Sequence, residues 1–131
     1  MEKTISTFEE LKNICNGITV YEAAQLREAE LSEISVAEFR SKVKKSLDAM
    51  KEAIKNGLKS HEMSISGMCG DDCERLQKRF LRHHALLGRL FEKITTYALA
   101  TIEENLRMGK IVACPTAGSC AIVPSVLVGV S

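Results

Sequence analysis

The sequence predicts an all-α protein, a helical bundle with two long amphipathic helices and a short extended connector before a buried apolar helix. Two observations carry this prediction. Apolar residues recur at intervals of three and four along two long stretches, which is the spacing of one face of an α-helix. Ser or Thr followed three residues later by Glu marks several helix starts. Since no repeat or low-complexity segment interrupts the chain, we expect residues 1–131 to form a single helical domain.

Capping signals place two short helices at the start of the chain. Ser6 or Thr7 can cap the first helix, acidic residues in its first turn favour the helix dipole, and Gly17 ends it. Thr19 begins the second helix, and Glu22 stands where it completes a capping box. Local signals therefore define both helices.

The first long amphipathic helix is predicted to follow Ser35, after residues 32–33 have interrupted the preceding helix. Ser35 and Glu38 have the spacing of a capping box. Gly57 weakens the last turn of this helix. Its charged positions are most simply a solvated face, and its apolar face comprises Val36, Phe39, Val43, Leu47, Met50, Ile54 and Leu58.

A loop and two further helices follow. Residues 60–70 are rich in small polar side chains and predict a loop, after which Asp71 or Asp72 can cap a short helix. The second long helix runs from about residue 86 to residue 108, and Gly109 stops it. The apolar positions are Leu76, Phe80 and Leu81 in the short helix and Leu87, Leu90, Phe91, Ile94, Tyr97, Ala98, Ile102 and Leu106 in the long one.

The C-terminal segment combines an extended connector with an apolar helix. Residues 110–114 are predicted to be extended because Pro115 disfavours helix just before it. Residues 116–119 form a tight turn, and the apolar helix begins near Cys120. No charged residue occurs in 111–131, so we interpret the chain as cut from a longer protein, with a buried C-terminal helix of a complete chain as the alternative.

The net charge, the apolar C-terminal segment and the cysteines indicate which partners and which cellular compartment to expect. Eighteen basic and seventeen acidic residues leave a net charge of +1, which gives no reason to expect a nucleic acid or a membrane surface as partner. Residues 111–131 are long enough to span a bilayer, but two prolines interrupt them, so a buried core segment is the better interpretation. Without a secretory signal, the five cysteines indicate a reducing cytoplasm, where they are thiols or metal ligands.

Two stretches have the residue types of a ligand site. Residues 109–124 form an extended segment, a proline-fixed turn and a small-residue loop that opens a helix, where backbone N–H groups and a stabilised thiolate are available. Residues 64–76 form a second small-residue loop that leads into a helix. Each stretch has a structural alternative, a tight helix-packing turn for the first and an ordinary capped helix start for the second.

The other cysteines and histidines allow weaker hypotheses. A zinc set is conceivable, but its Cys-x3-Cys spacing is loose and no second cysteine pair follows. His61 lies in a loop and is either a catalytic base or a solvated side chain. Cys15 is expected to be a buried core thiol. The residues of the zinc set are Cys69, Cys73, His83 and His84.

Three segments resemble the iron–sulfur-dependent L-serine dehydratases. Residues 109–124, GKIVACPTAGSCAIVP, resemble the family signature G-x-I-V-A-A-P-T-A-G-S-C-G-x-x-P. Residues 64–76, SISGMCGDDCERL, are similar to the family stretch S-G-[LM]-[TS]-G-G-D-A-x-K-L, and residues 96–109 resemble the helix before the signature. Because order and spacing match along essentially the whole chain, the sequence resembles the N-terminal part of an α chain of that family.

The resemblance implies a lyase that converts L-serine to pyruvate and ammonia in the cytoplasm. It implies a [4Fe–4S] cluster held by three cysteines, with one iron open to substrate. Cys120 matches the signature cysteine ligand, while the other two ligands belong to the remainder of the α chain beyond Ser131, and a β chain or domain completes the site. We therefore expect this chain alone to lack the cluster and to be inactive. The implied substrate-binding residues are Ser66, Gly67, Gly70, Thr116, Gly118 and Ser119.

The sequence departs from the family pattern at five positions and leaves the general base unassigned. The departures concern the substrate loops and leave Pro115, Thr116, Gly118 and Cys120 intact. Two other functions stay open: a non-catalytic helical module whose apolar final helix docks on a partner or self-associates through residues 111–131, and a related cluster lyase for another amino acid. The departures are Cys69 for Thr or Ser, Asp71 for Gly, Cys73 for Ala, Cys114 for Ala and Ala121 for Gly.

Overall fold

Helices account for all the regular secondary structure in the computed structural model, which describes residues 7–83 and 86–131. Within these ranges there are six helices and no strand, so the predicted all-α class is confirmed. The chain divides into two compact units, with the boundary between Lys44 and Lys45. The helices are α1 (Phe8–Ile14), α2 (Val20–Leu31), α3 (Val36–Lys59), α4 (Asp72–Arg82), α5 (Gly88–Leu106) and α6 (Ser119–Val130).

Side-chain caps start α1, α2 and α3, as predicted. The hydroxyls of Thr7, Thr19 and Ser35 each accept a hydrogen bond from the backbone N–H three residues later, in every case at 3.2 Å. In α1 and α2 the glutamate at that position also accepts from the N–H of the cap residue, at 3.2 and 2.8 Å. Ser6, the other candidate cap of α1, lies outside the described residues.

A buried polar contact joins α2 to α3 within the first unit. Arg40 donates from Nε and Nη2 to the Gln25 side-chain oxygen at 3.1 and 2.9 Å, and Gln25 is only 6% exposed. Ala23 and Ala29 are the other buried side chains of α2, so its interior face is small. Cys15 is half-buried at the C-terminal end of α1, so its prediction as a buried core thiol is wrong.

None of the six helices in the described ranges has the length and apolar character that crossing a membrane requires.

The second unit depends on a close approach between α3 and α5. A Cβ built on Gly57 would lie 2.0 Å from the carbonyl oxygen of Ala100, which is itself fully buried at 0% exposure. The two backbones therefore touch at this point, and only glycine fits between them. Gly57 was expected to be a weak point of its helix, and it is instead the residue that lets the two helices meet.

The interior face of α5 differs from the predicted apolar stripe. Thr96 and Thr101 are buried, and their hydroxyls donate to carbonyls four residues earlier at 2.7 and 2.9 Å, so the helix itself satisfies them. The prediction failed because helical spacing identifies an apolar face without saying what covers it. The buried residues of α5 are Thr96, Ala100, Thr101, Glu103 and Glu104, whereas Leu87, Leu90, Phe91, Ile102 and Leu106 of the predicted stripe are exposed.

Helix α6 packs on α5 through small residues. Ala121, Ser125 and Gly129 are four residues apart and buried, and a Cβ on Gly129 would lie 2.7 Å from Ile94 Cγ1. Because α6 turns its small residues inward, its large apolar ones point outward, and the expected buried apolar helix is covered on one side only. The exposed residues of α6 are Ile122, Val123, Val126, Leu127 and Val130.

We predict that Gly57→Ala destabilises the protein by about 2 kcal/mol, although Gly to Ala inside a helix normally stabilises by about 0.5–1 kcal/mol. The added methyl group would meet backbone atoms of Ala100 that cannot rotate away. Urea denaturation followed by circular dichroism measures the change. Gly118→Ala is the control, because a Cβ there has no neighbour within 4 Å. Equal stability of the two variants would contradict the proposed close contact.

Candidate active-site loops

The signature loop is a closed turn that leads into α6. The Thr116 N–H donates to Ser119 Oγ at 3.0 Å, and that hydroxyl donates to the Thr116 carbonyl at 2.7 Å. The Ser119 N–H donates to the same carbonyl at 3.1 Å, so three bonds fix the turn. Gly118 precedes the helix with φ −71°, and a Cβ there would meet open space. The predicted tight turn is confirmed, and α6 begins at Ser119, one residue before the predicted start.

Cys120 occupies the first turn of α6 and is half-buried. Its Sγ donates to the Ala117 carbonyl at 2.7 Å, which holds the thiol over the turn. The N-terminus of α6 places the partial positive charge of the helix dipole beside this sulfur atom. Pro124 has no N–H and cannot form the helix bond to the Cys120 carbonyl. This end of α6 therefore offers both a sulfur atom and backbone polar groups.

The second loop is closed by its own serines. Ser64 donates from its N–H to the Cys69 carbonyl at 2.7 Å, and its Oγ accepts from the Cys69 N–H at 3.1 Å. The Ser64 and Ser66 hydroxyls are 3.1 Å apart and share a hydrogen bond. Gly67, at φ +69°, donates to the Ser64 carbonyl at 2.8 Å. Gly70 is buried against Met63. This loop, closed by its own hydrogen bonds, thus exposes the Ser66 hydroxyl and the Gly67 backbone to solvent.

Both loops lie at the C-terminal end of α5. The Ile65 N–H donates to the Leu106 carbonyl at 3.4 Å, and Arg107 donates to the Glu62 carbonyl at 3.3 Å, so the second loop is attached there. Gly129, near the end of α6, contacts Ile94 in the first half of α5. Since α6 packs along α5, we infer from this contact that the two helices run antiparallel, with the first turn of α6 beside the last turns of α5.

A buried ionic cluster stabilises this end of α5. The side chain of Arg107 is 7% exposed and lies between two carboxylates, 3.6 Å from Glu103 Oε2 and 3.5 Å from Glu104 Oε2. Glu103 Oε1 also accepts from the Cys73 N–H at 2.9 Å, and Asn56 donates to Glu104 at 3.5 Å. Removing one partner from such a buried pair leaves an uncompensated charge. The cluster therefore joins α3, α4 and α5 through charge-assisted bonds.

Gly109 extends this cluster into the connector. Its N–H donates to the Glu104 carbonyl at 2.8 Å, and a Cβ on it would overlap the Glu104 carboxylate at 2.2 Å. Sequence reasoning took Gly109 only as a helix stop and did not identify the buried Arg107. The one signal available was the spacing of four residues between Glu103 and Arg107 at the end of a helix.

The zinc set of cysteines and histidines considered in the sequence analysis receives no support from the described residues. Cys73 is buried, and its Sγ donates to the Thr96 carbonyl at 3.6 Å. Burial, with a smaller contribution from Glu103, raises the pKa of the Cys73 thiol to about 11, so it stays protonated at neutral pH. Cys69, Cys73 and His83 do not come together as metal ligands within the described ranges. His84 lies outside them.

His61 lies in the loop after α3, on the surface. Its Nδ1 is 3.4 Å from Glu74 Oε2, so a carboxylate can orient the ring. A hydrogen bond from Lys78 is the main reason that the pKa of Glu74 lies below its usual range, and His61 adds to the effect. The role of His61 as a general base stays a prediction. Of the two predicted caps of α4, Asp71 occupies the N-cap position, at φ +63°, but its side chain makes no cap hydrogen bond.

Comparisons with known proteins agree on one family. Residues 15–131 match the family described as serine dehydratase alpha chain. The chain is 30% identical over 126 residues to the L-serine dehydratase, alpha chain, of Peptoniphilus asaccharolyticus, covering 95% of this chain and 43% of that protein. It is 34% identical over 104 residues to the probable L-serine dehydratase, alpha chain, of Bacillus subtilis (strain 168), covering 79% and 34%.

A further relative is the L-serine dehydratase of Helicobacter pylori, 41% identical over 86 residues, which cover 60% of this chain and 18% of that protein. The chain therefore spans less than half the length of these curated relatives. No solved structure matches it.

We predict that Arg107→Met destabilises the protein by about 3 kcal/mol, because two buried carboxylates would lose their counter-ion. Lys42→Met is the matched control. Lys42 forms an exposed ion pair with Glu38 at 3.4 Å, which is worth less than about 1 kcal/mol. Urea midpoints of the two variants measure the difference. A loss in Arg107→Met as small as in the control would show that the buried cluster is not a stabilising element.

Proposed function

This chain belongs to the serine dehydratase alpha chain family, and we propose that it supplies part of the active site of an iron–sulfur-dependent L-serine dehydratase. The reaction removes the Cα proton and the hydroxyl group of L-serine. The resulting aminoacrylate tautomerises and hydrolyses to pyruvate and ammonia. The observation that carries the proposal is the position of both family loops at one end of α5, with the signature cysteine in the first turn of α6.

We assign substrate binding to the two loops. Serine carries a carboxylate, and the turn before α6 has N–H groups at a helix N-terminus, where negative charge is favoured. The open space at Gly118 leaves room for a ligand to approach that backbone. Thr116 and Ser119 bond to each other and so shape the turn. In the second loop, Ser66 offers a hydroxyl. Gly67 and Gly70 have the positive φ angles that the closed loop requires.

We propose Cys120 as one thiolate ligand of a [4Fe–4S] cluster. The donor chemistry fits, because cysteine sulfur is the usual ligand of iron–sulfur clusters and the sulfur of Cys120 is partly accessible in the first turn of α6. When bound, the cluster supplies a Lewis-acidic iron that eases departure of the hydroxyl group. Cys73 does not fit as a second ligand, since its thiol is only 2% exposed and burial raises its pKa to about 11. We therefore assign the other ligands to the remainder of the α chain.

The exposed face of α6 supports the proposal of further protein partners. Its outward residues are large and apolar, and burying each is worth about 1.5–3 kcal/mol. We propose that the remainder of the α chain covers this face and that a β chain or domain completes the substrate site. The same face would suit a non-catalytic helical module, which is the second candidate. A related cluster lyase acting on another amino acid is the third, and substrate profiling of the complete enzyme separates it from the first.

We predict that Cys120→Ala in the complete enzyme abolishes cluster binding and serine turnover, whereas Cys15→Ala leaves both intact. Cys120 stands at a helix N-terminus beside a small-residue turn, and Cys15 ends a short helix in the other unit. Iron content and visible absorption after anaerobic purification report the cluster, and pyruvate formation reports turnover. The chain of residues 1–131 alone should form no pyruvate. Equal cluster loss in both cysteine variants, or none in either, argues against the assignment.

We predict that this chain by itself self-associates through residues 111–131. Replacing Leu127 by Gln, on the exposed face of α6, should shift light scattering toward the monomer without unfolding the helix. Lys110→Gln serves as the control, because Lys110 is exposed and lies before the helix. A chain that is monomeric at every concentration, with strongly protected amides in α6, would show that the exposed face needs no cover.

A further inference from the structure

We propose that His61, Asp71 and Glu74 form a binding site for a divalent transition-metal ion such as Zn²⁺. His61 lies at the start of the loop between α3 and α4, Asp71 lies at its end, and Glu74 lies in the first turn of α4. None of them belongs to the proposed set of substrate residues or to the signature turn.

The geometry brings three different ligand atoms together. One imidazole nitrogen of His61 and one carboxylate oxygen each from Asp71 and Glu74 all lie within 4.8 Å of one another. Ligands about 2.0–2.2 Å from a zinc ion lie about 3.5 Å apart, so the set needs only a small contraction. His61 is exposed and can rotate inward, and its Nδ1 is already 3.4 Å from Glu74 Oε2. Imidazole and carboxylate together suit zinc and its neighbours among the transition metals.

Asp71 supplies the independent argument. Its Oδ1 is buried and has no hydrogen-bond partner among the described residues, although it stands beside a helix start that offers N–H donors. A buried carboxylate oxygen without a donor is costly, and a cation is the partner that it lacks. A φ of +63° is a conformation that Gly adopts more easily than Asp. The backbone therefore gives no reason for an aspartate here.

The surrounding charges leave one negative charge at the site. Lys78 Nζ contacts Glu74 Oε1 at 2.5 Å and neutralises one carboxylate, while Oε2 remains turned toward His61. The neighbouring Asp72 forms its own ion pair with Arg75 at 3.9 Å and is not part of the set. Two carboxylates and one ammonium thus give a net charge of −1 when the imidazole is in its uncharged, metal-binding form.

The test is titration of the full chain with Zn²⁺ by calorimetry and with Co²⁺ by absorption spectroscopy. We expect one ion per chain at this site, with the weak visible bands of a nitrogen–oxygen Co²⁺ site and without intense thiolate charge-transfer absorption from it. Asp71→Gly removes a ligand and restores a residue suited to φ +63°, so the fold should be retained. That variant and Glu74→Gln should each weaken binding about tenfold or more. Asp72→Asn is the matched control and should bind like the unchanged chain.

Three outcomes would overturn the proposal. The first is equal affinity in Asp71→Gly and Asp72→Asn, provided that circular dichroism shows both variants folded. The second is binding that disappears only when cysteines are replaced, with a thiolate Co²⁺ spectrum throughout. The third is the absence of any binding, which would leave the contact between His61 and Glu74 as a plain ion pair.

Discussion

The guanidinium of Arg107 lies between the buried carboxylates of Glu103 and Glu104, and much of the second unit is attached to this cluster. Arg107 also donates to the Glu62 carbonyl, Glu103 accepts from the Cys73 N–H in the first turn of α4, and the Glu104 carbonyl accepts from the Gly109 N–H. A buried cluster of this kind is costly to break, because any remaining charge would have no partner. It therefore fixes the end of α5, from which the chain continues to the signature loop and to which the loop between α3 and α4 is attached.

Small residues set the distances at which the helices pack. Gly57 lets α3 touch the backbone of α5 at Ala100, and Gly129 lets α6 approach Ile94. Close packing through glycine, alanine and serine leaves little space inside for large side chains. The large apolar residues of α6 consequently point outward, where they form a surface that favours association. The small residues at the helix contacts thus explain both the tight internal packing and the apolar outer face of α6, on which we expect further protein to pack.

Two departures from the family pattern become intelligible in the structure. Cys73 stands where the family has alanine, and its buried position beside the Thr96 carbonyl accepts a side chain only slightly larger. With a pKa raised to about 11, its thiol is a packing group rather than a reactive one. Asp71 stands where the family has glycine and keeps the left-handed backbone that glycine would adopt. This aspartate adds a carboxylate beside His61 and Glu74, which is the basis of the proposed metal site.

The sequence by itself determined the helices and the candidate loops. Caps at Thr7, Thr19 and Ser35, the long periodic stretches and the proline-glycine turn are local signals, and local signals act through neighbours within a few residues. Only the tertiary structure decided which face of α5 is interior, because spacing shows a helix face but not its partner. It also decided that Arg107 is buried and that Gly57 is a contact, since each depends on residues remote in sequence that folding brings together.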